Sequence, residues 1–195
     1  MTLLTTAAAI VAGGRARRYG GQDKSRLVVE GRPIIVRQIE VLRRVASTVF
    51  VAGGAPGRFD DVGLAVHADV IPDLGAIGGI HTALETSQAD RVVVVAGDLP
   101  FLDAGLLARL IELSVNCDGA WVRTDRGPEP LIAVYARRAR AGVRVAIETG
   151  RLRAGALGEV LKMAELSAVA VAEFGPPERL LANVNRPEDL EALEI

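Results

Sequence analysis

The sequence predicts an α/β protein: a mainly parallel sheet covered by helices on both faces, with one antiparallel strand late in the chain. Three observations carry this. Short apolar runs alternate with segments of helical periodicity along the whole chain, which implies right-handed crossovers and parallel strands. Arg91–Ala96 contains four consecutive valines, the pattern of a strand buried on both faces. Two later strand-like runs are separated only by the polar turn Thr124–Pro130, so they pair antiparallel.

The elements follow in order. Ala7–Val11 is an apolar run stopped by Gly13-Gly14 and reads as a buried strand entering a loop. Leu27–Val29 is a brief extended piece, and Glu30–Pro33 a turn. From Pro33 to Val45, apolar residues Ile35, Ile39, Leu42 and Val45 recur at helical spacing, with proline tolerated at the start. Thr48–Ala52 is the second strand and Leu64–His67 the third. Ile77–Glu85 reads as a helix opened by Gly78-Gly79, and Asp103–Ser114 as a helix with Asp103 at its N-cap. Gly119–Val122 and Leu131–Tyr135 are strands. Helices are expected at Arg137–Glu148 and Gly155–Met163, a strand at Ala168–Ala172, and a closing helix at Pro187–Leu193 capped by Asn185 or Arg186. With no repeat and no interdomain linker, residues 1–195 read as one domain.

Composition narrows the function classes. The 195 residues carry 23 basic and 24 acidic side chains, a net charge of −1, which disfavours a nucleic-acid polymer as the main ligand. A small anion in a local basic pocket fits that balance. The single cysteine, Cys117, excludes an intrachain disulfide and a Cys-ligated metal site. The opening MTLLTTAAAIVAGG lacks the basic n-region of a signal peptide, and no window approaches a membrane span of ~20 apolar residues. A soluble, cytoplasmic protein is expected.

Ligands of such sheets gather at the carboxyl ends of strands, so the loops there should hold the chemistry. After the first strand come Gly13, Gly14, Arg15, Arg17, Arg18, Gly20, Gly21 and Lys24. Glycines let backbone N–H groups approach an anion, and the cations neutralise it. The loop fits neither the Walker A pattern, because Asp23 separates Gly21 from Lys24, nor the dinucleotide fingerprint. Its other reading is a solvated surface loop; glycines and cations converging behind a buried strand favour the phosphate. After Arg91–Ala96 comes Asp98, either a Mg²⁺ carboxylate or a turn aspartate. Asp69 follows the third strand, ahead of the Gly75–Gly79 helix start. Asn183 and Asn185 alternate onto one side of an extended segment, where amides can bond a sugar, base or phosphate, or cap the final helix.

Other chemistries lack their residues. His67 and His81 are the only histidines and form no metal or triad pattern, and no serine has a nucleophile-elbow context. Cys117 reads as a core or near-surface residue, Trp121 and four phenylalanines are too sparse for a stacking platform, and Arg137, Arg138 and Arg140 read as a solvated helix face or, alternatively, a contact for an anionic acceptor.

Taken together, AGG-RARR-YGG-x-DK at 12–24, Asp69, GD-x-PF at 97–101 and N-V-N-x-P-E-D-L at 183–190 resemble the molybdenum cofactor guanylyltransferases over residues 8–191. AGG alone is shared with sugar-nucleotide and isoprenoid-pathway cytidylyltransferases; the closing motif combined with RARRYGGQDK is more specific. The resemblance implies a three-layer, Rossmann-related GT-A-like nucleotidyltransferase fold. It implies GMP transfer from GTP to molybdopterin-bound molybdenum cofactor, with release of pyrophosphate. The alternatives are CMP transfer to the same acceptor, or nucleotide transfer to a sugar or polyol phosphate.

By that resemblance Ala12, Gly13, Gly14, Lys24 and Asp69 contact the nucleotide, Asp98 ligates Mg²⁺ and joins the nucleotide contacts, and Asn183 and Asn185 line the site. Arg15 and Lys24, with Mg²⁺, stabilise charge on the α-phosphate and the leaving pyrophosphate, and no general base is required. Cofactor-synthesis and acceptor-enzyme proteins are the implied partners; nucleic acid and membrane are not. The chain departs from the family pattern at Gly75-Ala76-Ile77-Gly78-Gly79, where Gly-Pro-Leu-x-Gly is frequent, and at Ala52, where an asparagine can stand.

Overall fold

The computed structural model describes residues 4–12, 23–184 and 189. In chain order its elements are β1 (Thr6–Val11), β2 (Val28–Val29), β3 (Arg32–Pro33), α1 (Ile34–Leu42), β4 (Thr48–Ala52), β5 (Val66–His67) and α2 (Ala76–Thr86). They continue with β6 (Arg91–Ala96), α3 (Ala104–Leu113), β7 (Gly119–Thr124), β8 (Gly127–Ala136), α4 (Ala139–Glu148), β9 (Met163–Ser167), α5 (Ala168–Val171) and α6 (Pro177–Leu180).

The main sheet has seven strands in the order β5-β4-β1-β6-β8-β7-β9. β4, β1 and β6 pair in parallel, with Ala9 opposite Phe50 on one side and Val94 on the other. β8 alone runs against both neighbours, β6 and β7, and β9 pairs in parallel with β7. The mainly parallel sheet with one late antiparallel strand is therefore as the sequence predicts.

Helices cover both faces, which makes three layers. Alternate strand residues such as Ile10, Val51 and Val93 meet α1 through Ile35, Ile39 and Leu42, and meet α3 through Leu106, Leu107 and Leu110. Their neighbours in register, including Ala9, Phe50 and Val94, face α2 and α4 through Ile77, Ile80 and Val143. Strands that send apolar side chains to both faces must be apolar throughout, hence the valine run of β6. Asp103 caps α3 as expected, its carboxylate accepting from the Leu106 amide at 2.8 Å. Among the described residues no helix is long and apolar enough to cross a membrane.

Four expectations need correction. The strand expected at Ala168–Ala172 is the helix α5, capped by the Ser167 hydroxyl, and the strand precedes it at Met163–Ser167. Apolar content misled there: Val169 is 85% exposed, whereas the less apolar MAELS forms an edge strand whose Leu166 enters the core. The helix expected at Gly155–Met163 is a 3-10 stretch, Ala154–Glu159, in which Gly158 admits the Trp121 ring. The turn at Thr124–Pro130 is shorter, because β8 already starts at Gly127 and a register shift at Trp121/Val122 accommodates its prolines. Helix α2 opens at Ala76 rather than at Gly78-Gly79. The closing helix Pro187–Leu193 lies outside the described residues except for Asp189.

Candidate active site

The carboxyl ends of β1, β4, β5 and β6 are joined beyond their last strand residues. The Ala12 amide donates to the Ala52 carbonyl at 3.2 Å, Gly53 to His67 at 2.8 Å, and Gly97 to Val11 at 3.0 Å. Helix α2 presses on the same edge. A Cβ on Gly79 would lie 2.4 Å from Val11 Cγ1, so only glycine lets that helix approach the end of β1. These contacts gather the loops after β1, β5 and β6 along one rim. Gly13, Gly14, Arg15 and Asn185 lie outside the described residues.

Lys24 opens a 3-10 turn, Lys24–Arg26, whose cap is Asp23. The Asp23 carboxylate accepts from the Ser25 amide at 3.1 Å and from the Ser25 hydroxyl at 2.6 Å. It also binds Arg58 at 2.9 and 2.8 Å and pairs with Arg26 at 3.7 Å. Asp23, which breaks the Walker A pattern, thus shapes the turn that presents Lys24.

Asp98 sits in the turn after β6. Burial pushes its carboxyl above the usual range, and the positive charge of Lys24 acts in the opposite direction. The two residues taken from separate motifs therefore lie within electrostatic reach of each other. The Asp98 carbonyl accepts from the Val184 amide at 2.9 Å, which brings exposed Asn183 to the same turn. Two side chains of α1 hold this turn from below. Buried Gln38 donates to the Ala96 and Leu99 carbonyls at 2.8 and 2.9 Å, and Arg37 donates to the Pro100 carbonyl at 3.0 Å.

Asp69 stands on the same rim beyond β5, two strands from β1 in the sheet order. Burial first, and the neighbouring Asp73 second, raise its carboxyl above the ordinary range. The loop is fixed to α2 by the Val70 amide, which donates to Thr82 Oγ1 at 3.0 Å. So Lys24, Asp98 and Asn183 come together, while Asp69 marks the far end of the rim.

The sequence reading missed two contributors, Arg58 and Gln38. Gln38 left a faint signal: an amide among Ile34, Ile35, Ile39 and Leu42 on the buried stripe of α1. Arg58, in the irregular stretch between β4 and β5, left none.

The residues fit a hard divalent cation. Among the described residues no group of three or more His, Cys, Asp or Glu could cage a metal. The half-buried Asp98 carboxylate, whose burial raises its pKa, suits an ion such as Mg²⁺, which takes one or two carboxylates and fills the rest of its shell with water and substrate oxygens.

Against known proteins, the chain is 32% identical over 193 residues to a protein of Methanothermobacter thermautotrophicus named probable molybdenum cofactor guanylyltransferase, covering 93% of this chain and 95% of that one. Among solved structures it is similar to molybdopterin-guanine dinucleotide biosynthesis protein A from Archaeoglobus fulgidus, at 26% identity, a TM-score of 0.77 and 96% coverage of each chain. The 2-C-methyl-D-erythritol 4-phosphate cytidylyltransferase of Thermus thermophilus shares the fold at 18% identity and a TM-score of 0.63, with 98% of each chain covered. Residues 8–192 match the family model of the MobA-like NTP transferase domain, and the chain belongs to that family.

Proposed function

We propose that this enzyme transfers GMP from GTP to the terminal phosphate of molybdopterin-bound molybdenum cofactor, forming the guanine dinucleotide cofactor and pyrophosphate. The reading takes the whole chain as one nucleotidyltransferase domain working in the cytoplasm. It is supported by full-length similarity to proteins named for that activity. The observation that carries it in this molecule is the proximity of Lys24 to Asp98, whose turn is closed by the Val184 amide.

Ala12, Gly13, Gly14 and Asp69 take the nucleotide, and Asn183 and Asn185 line the site toward the acceptor. An acceptor phosphate oxygen attacks the α-phosphorus in line. The new P–O bond forms as the bond to the β-phosphate oxygen breaks, and pyrophosphate leaves with the electron pair. Arg15 and Lys24 offset the charge that builds on the transferring and leaving groups. The acceptor phosphate is already ionised, so no side chain has to remove a proton. Asp98 would hold Mg²⁺, which when bound supplies further positive charge at the phosphates.

The test is pyrophosphate release by the purified protein with Mg²⁺, reduced molybdopterin cofactor and each nucleoside triphosphate in turn. Turnover with GTP alone is expected. Use of CTP in place of GTP would move the assignment to a cytidylyltransferase, and turnover only with a sugar or polyol phosphate would replace the acceptor. Hand-over of product to acceptor enzymes belongs to the same reading, since the reduced cofactor is labile.

A further inference from the structure

One guanidinium spans the two ends of the phosphate loop. Arg58 Nη1 donates to the Ala12 carbonyl at 3.1 Å, on the residue that leaves β1. The same side chain donates through Nε to Asp23 Oδ2 at 2.9 Å and lies 2.8 Å through Nη2 from Asp23 Oδ1, on the residue preceding Lys24. Residues 13–22, which carry the glycines and arginines of the motif, begin and end on these two partners.

Arg58 is itself held in place. Its guanidinium lies 5.1 Å from the centroid of the fully buried Phe59 ring, and Arg26 stacks on that ring at 5.3 Å. Arg26 donates to the Arg58 carbonyl at 2.8 Å and grips Asp61 at 2.7 and 2.8 Å. The result is a network of two cations and two carboxylates around one aromatic ring, with Arg58 and Asp23 half-buried and Arg26 and Asp61 exposed. The Phe59 ring belongs to the main core, so the network ties the loop ends to that core.

We infer that Arg58 is a positioning residue for nucleotide transfer: by holding Ala12 and Asp23 together, it sets where the turn capped by Asp23 presents Lys24. The inference rests on the proposed function, because it assigns Lys24 to the phosphates. Arginine is specific here. Its planar fork serves a carboxylate bidentately while a third N–H reaches a carbonyl, and a lysine ammonium offers no such fork. Arg58 touches no substrate in this reading and acts through Asp23.

The experiment compares wild type, R58K, R58A, D23N and R58A/D23N for pyrophosphate release with GTP, Mg²⁺ and acceptor, alongside urea unfolding of each. Displacement of a charge-stabilising group by about 1 Å costs on the order of 100-fold, and R58A should lose that much in kcat/KM, mostly in kcat. R58K should recover only a small part. Guanidinium chloride, well below its unfolding range, should restore part of R58A activity, and equimolar urea should not. The double variant should be no slower than the worse single one, since both substitutions break one link.

R58A within about twofold of wild type overturns the proposal, being the size of an ordinary surface substitution. Independent, multiplying losses in R58A and D23N overturn it as well, as does an activity loss matched by loss of folded protein. A wild type inert with every nucleotide overturns the functional reading and this inference with it. An active wild type with an unaffected R58A overturns this inference alone.

Discussion

The Val184 amide donates to the Asp98 carbonyl at 2.9 Å, tying the start of the closing motif to the turn after β6. Val184 itself is fully buried in a small cluster with Val29, Ile34 and Phe101. The apolar side chain between the two asparagines is thus an anchor, and its burial leaves Asn183 exposed at the rim beside Asp98. Segments 85 residues apart, at Asp98 and Asn183, meet because the hydrophobic residue next to Asn183 is packed.

Asp98→Asn should reduce pyrophosphate release by about 100-fold or more, since metal charge stabilisation is worth several kcal/mol. Thermal unfolding adds a second readout. Mg²⁺ should raise the Tm of wild type by binding the folded state and should leave the variant nearly unmoved. Unchanged turnover would remove Asp98 from the metal role.

Lys24→Ala should cost about 3–4 kcal/mol of transition-state stabilisation, the usual worth of one oriented donor at developing charge. Steady-state kinetics measure it. A fall below about tenfold, some 1.4 kcal/mol, would make Lys24 peripheral.

Gln38→Leu leaves the Ala96 and Leu99 carbonyls without their amide partner. A buried group left unsatisfied costs about 1–3 kcal/mol, and the variant also discards Gln38 Oε1, which has no partner among the described residues. A net stability loss of about 2 kcal/mol in urea unfolding is expected, with reduced turnover because the Asp98 turn loosens. Full activity at lowered stability would separate Gln38 from the site.

Gly79→Ala would drive a methyl to 2.4 Å from Val11 Cγ1. Overpacking of this kind costs about 1–3 kcal/mol, and Val11→Ala in the same chain should recover most of it. Equilibrium unfolding of the three variants tests the contact; additive losses would disprove it.

His81 supplies a pH dependence. It is buried on α2, and burial lowers its pKa. Glu85 at 3.5 Å opposes that shift, while Arg144 and Arg140 from α4 add to it. A depressed folded pKa means the stability is present above the unfolded value, about 6.5, and is lost as pH falls through the folded one. Urea midpoints of wild type should therefore drop from pH 7.5 toward 5.5, and His81→Leu should flatten that drop. Parallel curves for the two proteins would exclude His81 as the cause.

Much of the architecture was legible along the chain. Thr48–Ala52 and Arg91–Ala96 occur as read, because a strand buried on both faces must be continuously apolar. Lys24 and Asp98, read as motifs after separate strands, lie within electrostatic reach of each other. The errors fell where local composition is ambiguous. AVAV at Ala168–Val171 suits either a strand or a capped helix, and the vacant edge of β7 was taken by the preceding MAELS instead.

Periodicity, glycine placement and charge by themselves determined the layered α/β fold and pointed to the loops at the carboxyl ends of the strands. Those features depend on patterns that repeat within a few residues. Only the tertiary structure decided that Arg58 bridges Ala12 and Asp23, that Gln38 carries the Asp98 turn and that Val184 fastens the closing motif. Each of these joins a side chain or amide to groups distant in sequence, most of them on the main chain. Such a partner is chosen by where folded backbone leaves a donor or acceptor unmet, and no local pattern encodes that place.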